Sequence, residues 1–207
     1  MLSATQYLMK ESLVASSYRI TLENYLAEVD VKADLVIGVG DSQNHTKGRT
    51  RSWDVKEYII ADIPQPHKDS PAPDLVLDLN YGYGGVNKDV HGYAGMADVI
   101  FCLEVFDYVY NPLNATILLQ NLLKRGGRLI VSYPTIYPHH QPIEDDALRY
   151  MEGGIRKLAD RAKLKIVDIA PRRPESILFD QFIRAERMRA AKHFDHNVTG
   201  YIVEYTK

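Results

Sequence analysis

Gly38, Gly40 and Asp62 are the residues whose types and spacing first suggest chemistry. The two glycines end an apolar, β-branched run over residues 35–39, which predicts a strand buried on both faces. Because they lack a Cβ, they permit a tight turn and the close approach of a ligand. A second apolar run, residues 58–61, ends at Asp62, whose carboxylate is placed to accept hydrogen bonds from ribose hydroxyls. The pattern predicts a nucleoside site at the ends of parallel strands; the alternative is a strand-end turn without a ligand.

Two cofactor classes use a glycine turn followed by a ribose-binding acid, namely nicotinamide dinucleotides and S-adenosylmethionine (SAM). The dinucleotide pattern requires a further glycine three residues after the second one. That position is Gln43 in this chain, which weakens the case for a nicotinamide cofactor.

The elements that must position these residues alternate between strands and helices. The hydrophobic periods predict strands over residues 35–39, 58–62, 75–77, 97–103, 128–133, 164–170 and 201–205, and helices over residues 3–29, 112–123, 144–163 and 175–194. Residues 125–127 are predicted to close the second helix with a glycine cap. The alternation predicts a single α/β domain over residues 1–207, doubly wound, with its last strand inserted antiparallel beside the fifth. Residues 1–30 are predicted to form an N-terminal helical cap, and residues 175–195 a helix between the last two strands.

Residues 41–54 depart from the pattern of a nucleotide-binding fold, which normally has a strong helix after its first strand. This segment has few apolar residues and no helical period, so it is predicted to be a long loop or a short helix. It carries Lys47, Arg49 and Arg51. This basic cluster either meets an anionic group of a substrate or lies in solvent.

Composition limits the class of protein. The net charge of −2 gives no electrostatic footprint for nucleic acid, and no apolar run reaches membrane-spanning length. No basic segment followed by an apolar core marks a secretory signal, and the single cysteine, Cys102, is predicted to lie in the core. These features predict a cytoplasmic protein.

Five segments in order resemble the class I SAM-dependent methyltransferases of the type 11-like group. They are residues 36–40, 58–62, 77–79, 98–112 and 123–132. The resemblance implies a Rossmann-like sheet of seven strands with the last one antiparallel, and SAM as the cofactor. The chain departs from the family at Val36, where the family usually has an acid, and at Ser42, where it has a third glycine.

The resemblance also implies the residues that bind the cofactor. Gly38 and Gly40 line the methionine side, and Asp41 stands inside the turn as the candidate replacement for the missing acid. Asp62 holds the ribose, Ile63 flanks the adenine, and Asp78 and Leu79 contact the adenine ring. Leu103 and Glu104 lie near the transferred methyl group.

The segment after the fifth strand, residues 133–142, is predicted to face the acceptor. Tyr133 leaves that strand, and either His139 or His140 is predicted to act as the base, because a histidine titrates near neutral pH. Asp146 and Arg149 stand close by and form either part of the site or a helix-surface pair. A metal site is disfavoured, since adjacent histidines in an extended chain point to opposite sides.

These observations leave two principal functions open. The first is a methyltransferase that acts on a small-molecule acceptor, sugar- or metabolite-like in kind. The second is a catalytically inactive protein of the same fold that serves as a binding or scaffold subunit. Residues 111–113 lack the tetrad expected of a nucleic-acid methyltransferase, and a dehydrogenase is the weakest alternative.

Overall fold

A seven-stranded sheet forms the centre of the computed structural model, which describes residues 17–44, 46–66, 70–82, 87–137, 139–140, 142–173 and 198–207. Its strands are β1 (Asp30–Val39), β2 (Ser52–Asp62), β3 (Leu75–Val76), β4 (Ala97–Cys102), β5 (Leu123–Pro134), β6 (Lys165–Arg172) and β7 (Gly200–Thr206). Their order across the sheet is β3-β2-β1-β4-β5-β7-β6. β1 to β5 pair in parallel, and β7 runs antiparallel between β5 and β6. The predicted doubly wound α/β fold with an antiparallel last strand is confirmed.

Within the described residues, three α-helices flank the sheet: α1 (Ser17–Glu28), α2 (Pro112–Leu122) and α3 (Glu152–Arg161). α2 begins as predicted, with the Asn111 side chain accepting a hydrogen bond from Asn114 N at 3.4 Å and Pro112 in the first turn. The first part of the predicted N-terminal helix and the helix predicted over residues 175–194 lie outside the described residues. No helix in the described part of the chain is long and apolar enough to cross a membrane.

The sheet is buried on both faces, in agreement with the apolar runs in the sequence. On one face, Ile37, Cys102 and Val131 pack beneath α2 and α3. On the other face, Val36 and Phe101 pack beneath α1. The central strands therefore hold their carboxyl ends rigidly at one edge.

The described residues between β1 and β2 form a loop. The sequence predicted either a long loop or a short helix here. Its basic side chains contact the chain itself: Arg49 pairs with Glu23, Arg51 pairs with Asp30, and Lys47 Nζ lies 5.8 Å from the centre of the Tyr58 ring. In place of a helix, aromatic side chains cover this part of the sheet. The Trp53 ring lies 5.6 Å from that of Tyr58 and 6.4 Å from that of Phe101.

Two predicted helix boundaries are wrong. α2 has no glycine cap, because Leu123 is already extended, with φ −67° and ψ 137°, and β5 begins there. α3 begins at Glu152 rather than at residue 144. Residues 143–145 form a short 3-10 turn, and the chain from there to Glu152 is not helical, since Tyr150 N donates to Pro134 O at 2.7 Å and the Tyr150 hydroxyl donates to Phe106 O at 2.9 Å.

Candidate functional site

The candidate site lies at the carboxyl ends of the parallel strands, where the winding of the sheet reverses. From β1 the chain moves outward to β2 and β3, and β4 then returns to the other side of β1. Such a reversal leaves a crevice above the sheet in which ligands of open α/β folds bind. The segments that follow these strands are neighbours: Gly40 N donates to Ala61 O at 2.9 Å, Leu77 N donates to Asp62 O at 2.8 Å, and Val105 lies against Gly40.

The glycine turn after β1 is a tight reversal of the backbone. Gly40 has φ 70°, a value that favours glycine, and its N–H donates to Ala61 O at 2.9 Å. The space that a Cβ would fill is taken up by the protein's own side chains. A Cβ at Gly38 would collide with the Tyr58 hydroxyl, and one at Gly40 would collide with a methyl group of Val105.

Asp41 stabilises this turn from within. Its carboxylate oxygens accept from Thr46 N at 3.1 and 3.2 Å, and the Tyr58 hydroxyl donates to it as well. Burial, together with the Asp41 charge, raises the pKa of Tyr58. Asp41 is buried, and these hydrogen bonds hold its side chain within the turn.

Asp62 lies beside the glycine turn. Its Oδ2 accepts from Ser42 N at 3.3 Å, and its Oδ1 accepts from Ile63 N at 2.8 Å. Ile63 follows with 41% of its surface exposed. A carboxylate oxygen has more than one lone pair, so this arrangement leaves Asp62 able to accept from a ligand.

Asp78 lies at the end of β3, on a loop that a buried asparagine organises. Asn87 accepts from Asp78 N at 2.8 Å and donates to the carbonyls of Asp78, Tyr81 and Gly82 at 2.9, 3.1 and 3.0 Å. Asp78 Oδ1 accepts from Asn80 N at 3.0 Å, and Oδ2 has no partner among the described residues. Leu79 is buried in the core.

The end of β4 carries a strained residue, Glu104. Its φ of 59° is left-handed, which is uncommon outside glycine. Glu104 N donates to Ser132 Oγ at 2.7 Å, and Ser132 Oγ donates to Glu104 Oε1 at 2.7 Å. Arg172, which is fully buried at the end of β6, donates to the same oxygen at 2.6 Å. Leu103, just before Glu104, packs against the core on the α1 side.

A histidine–aspartate pair lies next to this strand end. Asp107 Oδ2 is 3.2 Å from His140 Nδ1, and the Tyr108 hydroxyl is hydrogen-bonded to the same nitrogen. Because a carboxylate only accepts, the pair places the imidazole proton on Nδ1 and leaves Nε2 as a potential base. The His140 side chain is 40% exposed, and Nε2 has no partner among the described residues. Burial, aided by Asp107, raises the pKa of Tyr108 to about 12.

The structure separates the two histidines. His139 is exposed and lies 3.3 Å from Asp146, which is also bound by Arg149 at 2.6 and 2.8 Å. The Arg149 guanidinium holds the pKa of Asp146 well below its usual range. Asp146 also accepts from His140 N at 3.1 Å, so this cluster fixes the loop that carries His140.

Tyr133 lies in the core and not in the crevice. It is fully buried, its hydroxyl accepts from Tyr205 at 3.0 Å, and its ring packs 4.8 Å from that of Phe106.

Solved structures share this fold, although no protein-family model and no curated protein matches the sequence. A SAM-dependent methyltransferase from Archaeoglobus fulgidus superposes with a TM-score of 0.61 at 11% identity, covering 98% of this chain and 99% of its own. One from Mesorhizobium loti has a TM-score of 0.58 at 10% identity, covering 93% and 99%. A Haloferax volcanii putative methyltransferase, in complex with the activator Trm112, has a TM-score of 0.61 at 16% identity, covering 90% and 88%.

The chain has the class I methyltransferase fold. Within this methyltransferase fold, the site residues fit the nucleoside half of SAM, because Asp62 and Asp78 present carboxylates at neighbouring strand ends. The buried hydroxyl of Ser42 in the glycine turn also lacks a partner among the described residues. Val36 does not fit, since it is buried beneath α1 and carries no charge. Among the described residues, no group of three or more His, Cys, Asp or Glu side chains is arranged to hold a metal ion.

Sequence reasoning missed several residues that organise the methyltransferase fold at this edge, namely Asn87, Asp107, Tyr108, Ser132 and Arg172. Asp107 and Tyr108 lie within the segment that resembles the family's fourth-strand motif, so their position was the available signal. Arg172 had no such signal, because its partner Glu104 stands far away in the sequence.

Proposed function

We propose that the chain is a SAM-dependent methyltransferase that acts on a small-molecule acceptor. The observation that carries this proposal is that two reactive features share one sheet edge. Asp62 lies beside the glycine turn, and the exposed imidazole of His140 is held by the buried Asp107. The first suits a nucleoside cofactor, and the second suits the removal of a proton from an acceptor.

On this proposal, residues after β1, β2 and β3 hold the cofactor. The Asp62 carboxylate accepts from the ribose hydroxyls, and Ile63 covers the adenine. Asp78 Oδ2 accepts from the adenine amino group, while the backbone N–H of Leu79 donates to the ring. Gly40, with φ 70°, makes the tight turn beside which the cofactor lies. When bound, SAM supplies a methyl group on a sulfonium, which is already strongly electrophilic.

The acceptor is deprotonated by His140. Its Nε2 takes the proton from a hydroxyl or ammonium group, and the Asp107 carboxylate stabilises the resulting imidazolium through Nδ1–H. Tyr108 and Tyr137 flank the imidazole, with ring centres 5.0 and 5.9 Å from it. Their rings form apolar walls that suit a small organic acceptor.

Calorimetry with SAM and S-adenosylhomocysteine tests the cofactor site. We expect the wild type to bind both, and Asp62→Ala to lose at least about tenfold in affinity, because a charged acceptor for the ribose is removed. Asp54→Ala is the matched control, since Asp54 is an exposed acid on the same strand. Equal affinity in the wild type and Asp62→Ala would contradict the assigned site.

A catalytically inactive binding protein is the second candidate, and two observations favour it. The places above Gly38 and Gly40 are occupied by Tyr58 and Val105. Val36 also carries no charge where the family usually has an acid. The absence of any heat with SAM or S-adenosylhomocysteine would favour this second function over the first.

A further inference from the structure

The end of the site that carries the candidate base has an excess of negative charge. Two guanidinium groups at this end are each matched by a carboxylate. Arg172 donates to Glu104 Oε1 at 2.6 Å, and Arg149 donates to Asp146 at 2.6 and 2.8 Å. The Asp107 carboxylate is left over, because it pairs with an imidazole and with no arginine or lysine among the described residues.

The charge of Asp107 is also poorly compensated by hydrogen bonds. Its side chain is 7% exposed, and its Oδ1 is buried with no hydrogen-bond partner in the part of the chain that the structure describes. A buried carboxylate that lacks a counter-charge destabilises a fold. A cation bound beside His140 would supply that counter-charge.

Two aromatic rings line the same place. The ring centres of Tyr108 and Tyr137 lie 5.0 and 5.9 Å from that of the imidazole. The faces of aromatic rings carry negative potential and attract cations. Burial raises the pKa of Tyr108, and three nearby carboxylates add to this rise, namely those of Asp107, Asp146 and Asp145. The surroundings of this ring are therefore negative.

The acid strength of the acceptor further limits its class. An imidazole has an ordinary pKa of about 6.5, an alkylammonium about 10.4, and water, which stands for an alkyl hydroxyl, about 15.7. Proton transfer to an imidazole is therefore far less unfavourable from an ammonium than from an alkyl hydroxyl. A phenol, with a pKa of about 10, is as acidic as an ammonium. Its anion, however, would be repelled by Asp107.

We propose that the acceptor is an amine, which binds beside His140 as its ammonium form and is methylated on nitrogen. This assignment rests on the proposed function. The ammonium lies against the rings of Tyr108 and Tyr137, and His140 Nε2 takes one of its protons. The nitrogen lone pair then bonds to the methyl carbon while the S–CH₃ bond breaks and its electron pair returns to sulfur. The products are a methylated ammonium and S-adenosylhomocysteine, and the imidazolium releases its proton to water.

NMR titration of the intact chain with benzylamine and with benzyl alcohol tests the binding preference, because the two probes differ only in the charged group. We expect the wild type to bind benzylamine at least about tenfold more tightly. Asp107→Asn removes the excess charge, and Tyr137→Leu removes one aromatic face while keeping apolar bulk. Each should reduce the preference to about threefold or less. Asp54→Asn, at an exposed position of β2, is the control that should keep it.

Equal affinity of the wild type for the two probes, or binding of neither, overturns the amine assignment. A full preference in both Asp107→Asn and Tyr137→Leu overturns it as well.

Mass spectrometry after incubation with SAM tests the transfer itself. We expect N-methylbenzylamine from benzylamine and no methyl ether from benzyl alcohol or 4-methylphenol. Methylation of either hydroxyl probe in place of benzylamine overturns the assignment and leaves the proposed function standing. Calorimetry in which the wild type binds neither SAM nor S-adenosylhomocysteine overturns the proposed function. The probe titration is made without the cofactor, so the two failures are distinguishable.

Discussion

Oδ2 of Asp107 lies 3.2 Å from Nδ1 of His140, while Oδ1 of the same carboxylate is buried with no hydrogen-bond partner among the described residues. Burial raises the pKa of Asp107, and the neighbouring His140 lowers it in part. A buried carboxylate with one unsatisfied oxygen destabilises the folded state. Because Asp107 lies beside the exposed imidazole of His140, we infer that this carboxylate serves function and not stability.

Replacing Asp107 by asparagine should stabilise the protein at neutral pH. The folded-state pKa lies above the unfolded-state pKa, so the ionised carboxylate opposes folding at high pH. As the pH falls through the folded-state pKa, the folded state binds a proton first and this penalty disappears. We therefore expect Asp107→Asn to have the higher Tm at pH 8 and a smaller advantage towards pH 4.

Thermal unfolding across this pH range measures the effect. Asp54→Asn serves as the control, because Asp54 is exposed on β2 and its substitution should move Tm little at any pH. A Tm for Asp107→Asn that is below the wild-type value at pH 8 would mean that the bond to His140 outweighs the burial of the charge.

Substitution of the two adjacent histidines should separate their roles. His140→Ala should lower the rate of methyl transfer by about 10²–10⁴-fold, the usual contribution of a general base. His139→Ala should leave the rate within a few-fold, because His139 is 79% exposed and its ion-pair partner among the described residues is Asp146. The measurement is S-adenosylhomocysteine release with an acceptor found by screening, alongside calorimetry to show that cofactor affinity is kept. Equal losses in the two variants would remove His140 from its assigned role.

A side chain at position 38 should destabilise the fold because it would collide with Tyr58, whether or not a ligand binds. Gly38→Ala places a Cβ against the Tyr58 hydroxyl and 3.1 Å from Asp41 Cβ, so we expect a loss of about 1–3 kcal/mol in unfolding free energy. Gly154→Ala in α3 has no atom within 4 Å of the new Cβ and should be neutral or stabilising. Chemical denaturation with Tyr58→Ala completes a double-mutant cycle. Additive effects would show that the two sites do not interact.

Asn87 should stabilise the loop that carries Asp78. Asn87→Asp removes the donor to three carbonyls and places a charge among them, so we expect a loss of about 2–4 kcal/mol in unfolding free energy. Asn114→Asp, at an exposed position of α2, is the matched control. Denaturation curves check the prediction, and two curves with the same midpoint would contradict it.

Local patterns were sufficient for most of the fold. Hydrophobic periodicity predicts β1 and β4, and helix capping predicts the start of α2 at Asn111-Pro112. Both depend on residues close in sequence. Predictions from such local patterns are wrong where a distant contact competes. The helix predicted from residue 144 begins late because Tyr150 is anchored to Phe106 and Pro134.

The candidate site divides in the same way. By itself, the sequence determined that a glycine turn and Asp62 would meet, because both end parallel strands and parallel strands align their carboxyl ends. Only the tertiary structure decided that Asp107 holds His140, that Arg172 reaches Glu104, and that Tyr58 and Val105 fill the space at the glycines. These contacts depend on which strand ends become neighbours in the sheet and on which side chains are left outside the packed core. Local sequence patterns determine neither of these two features.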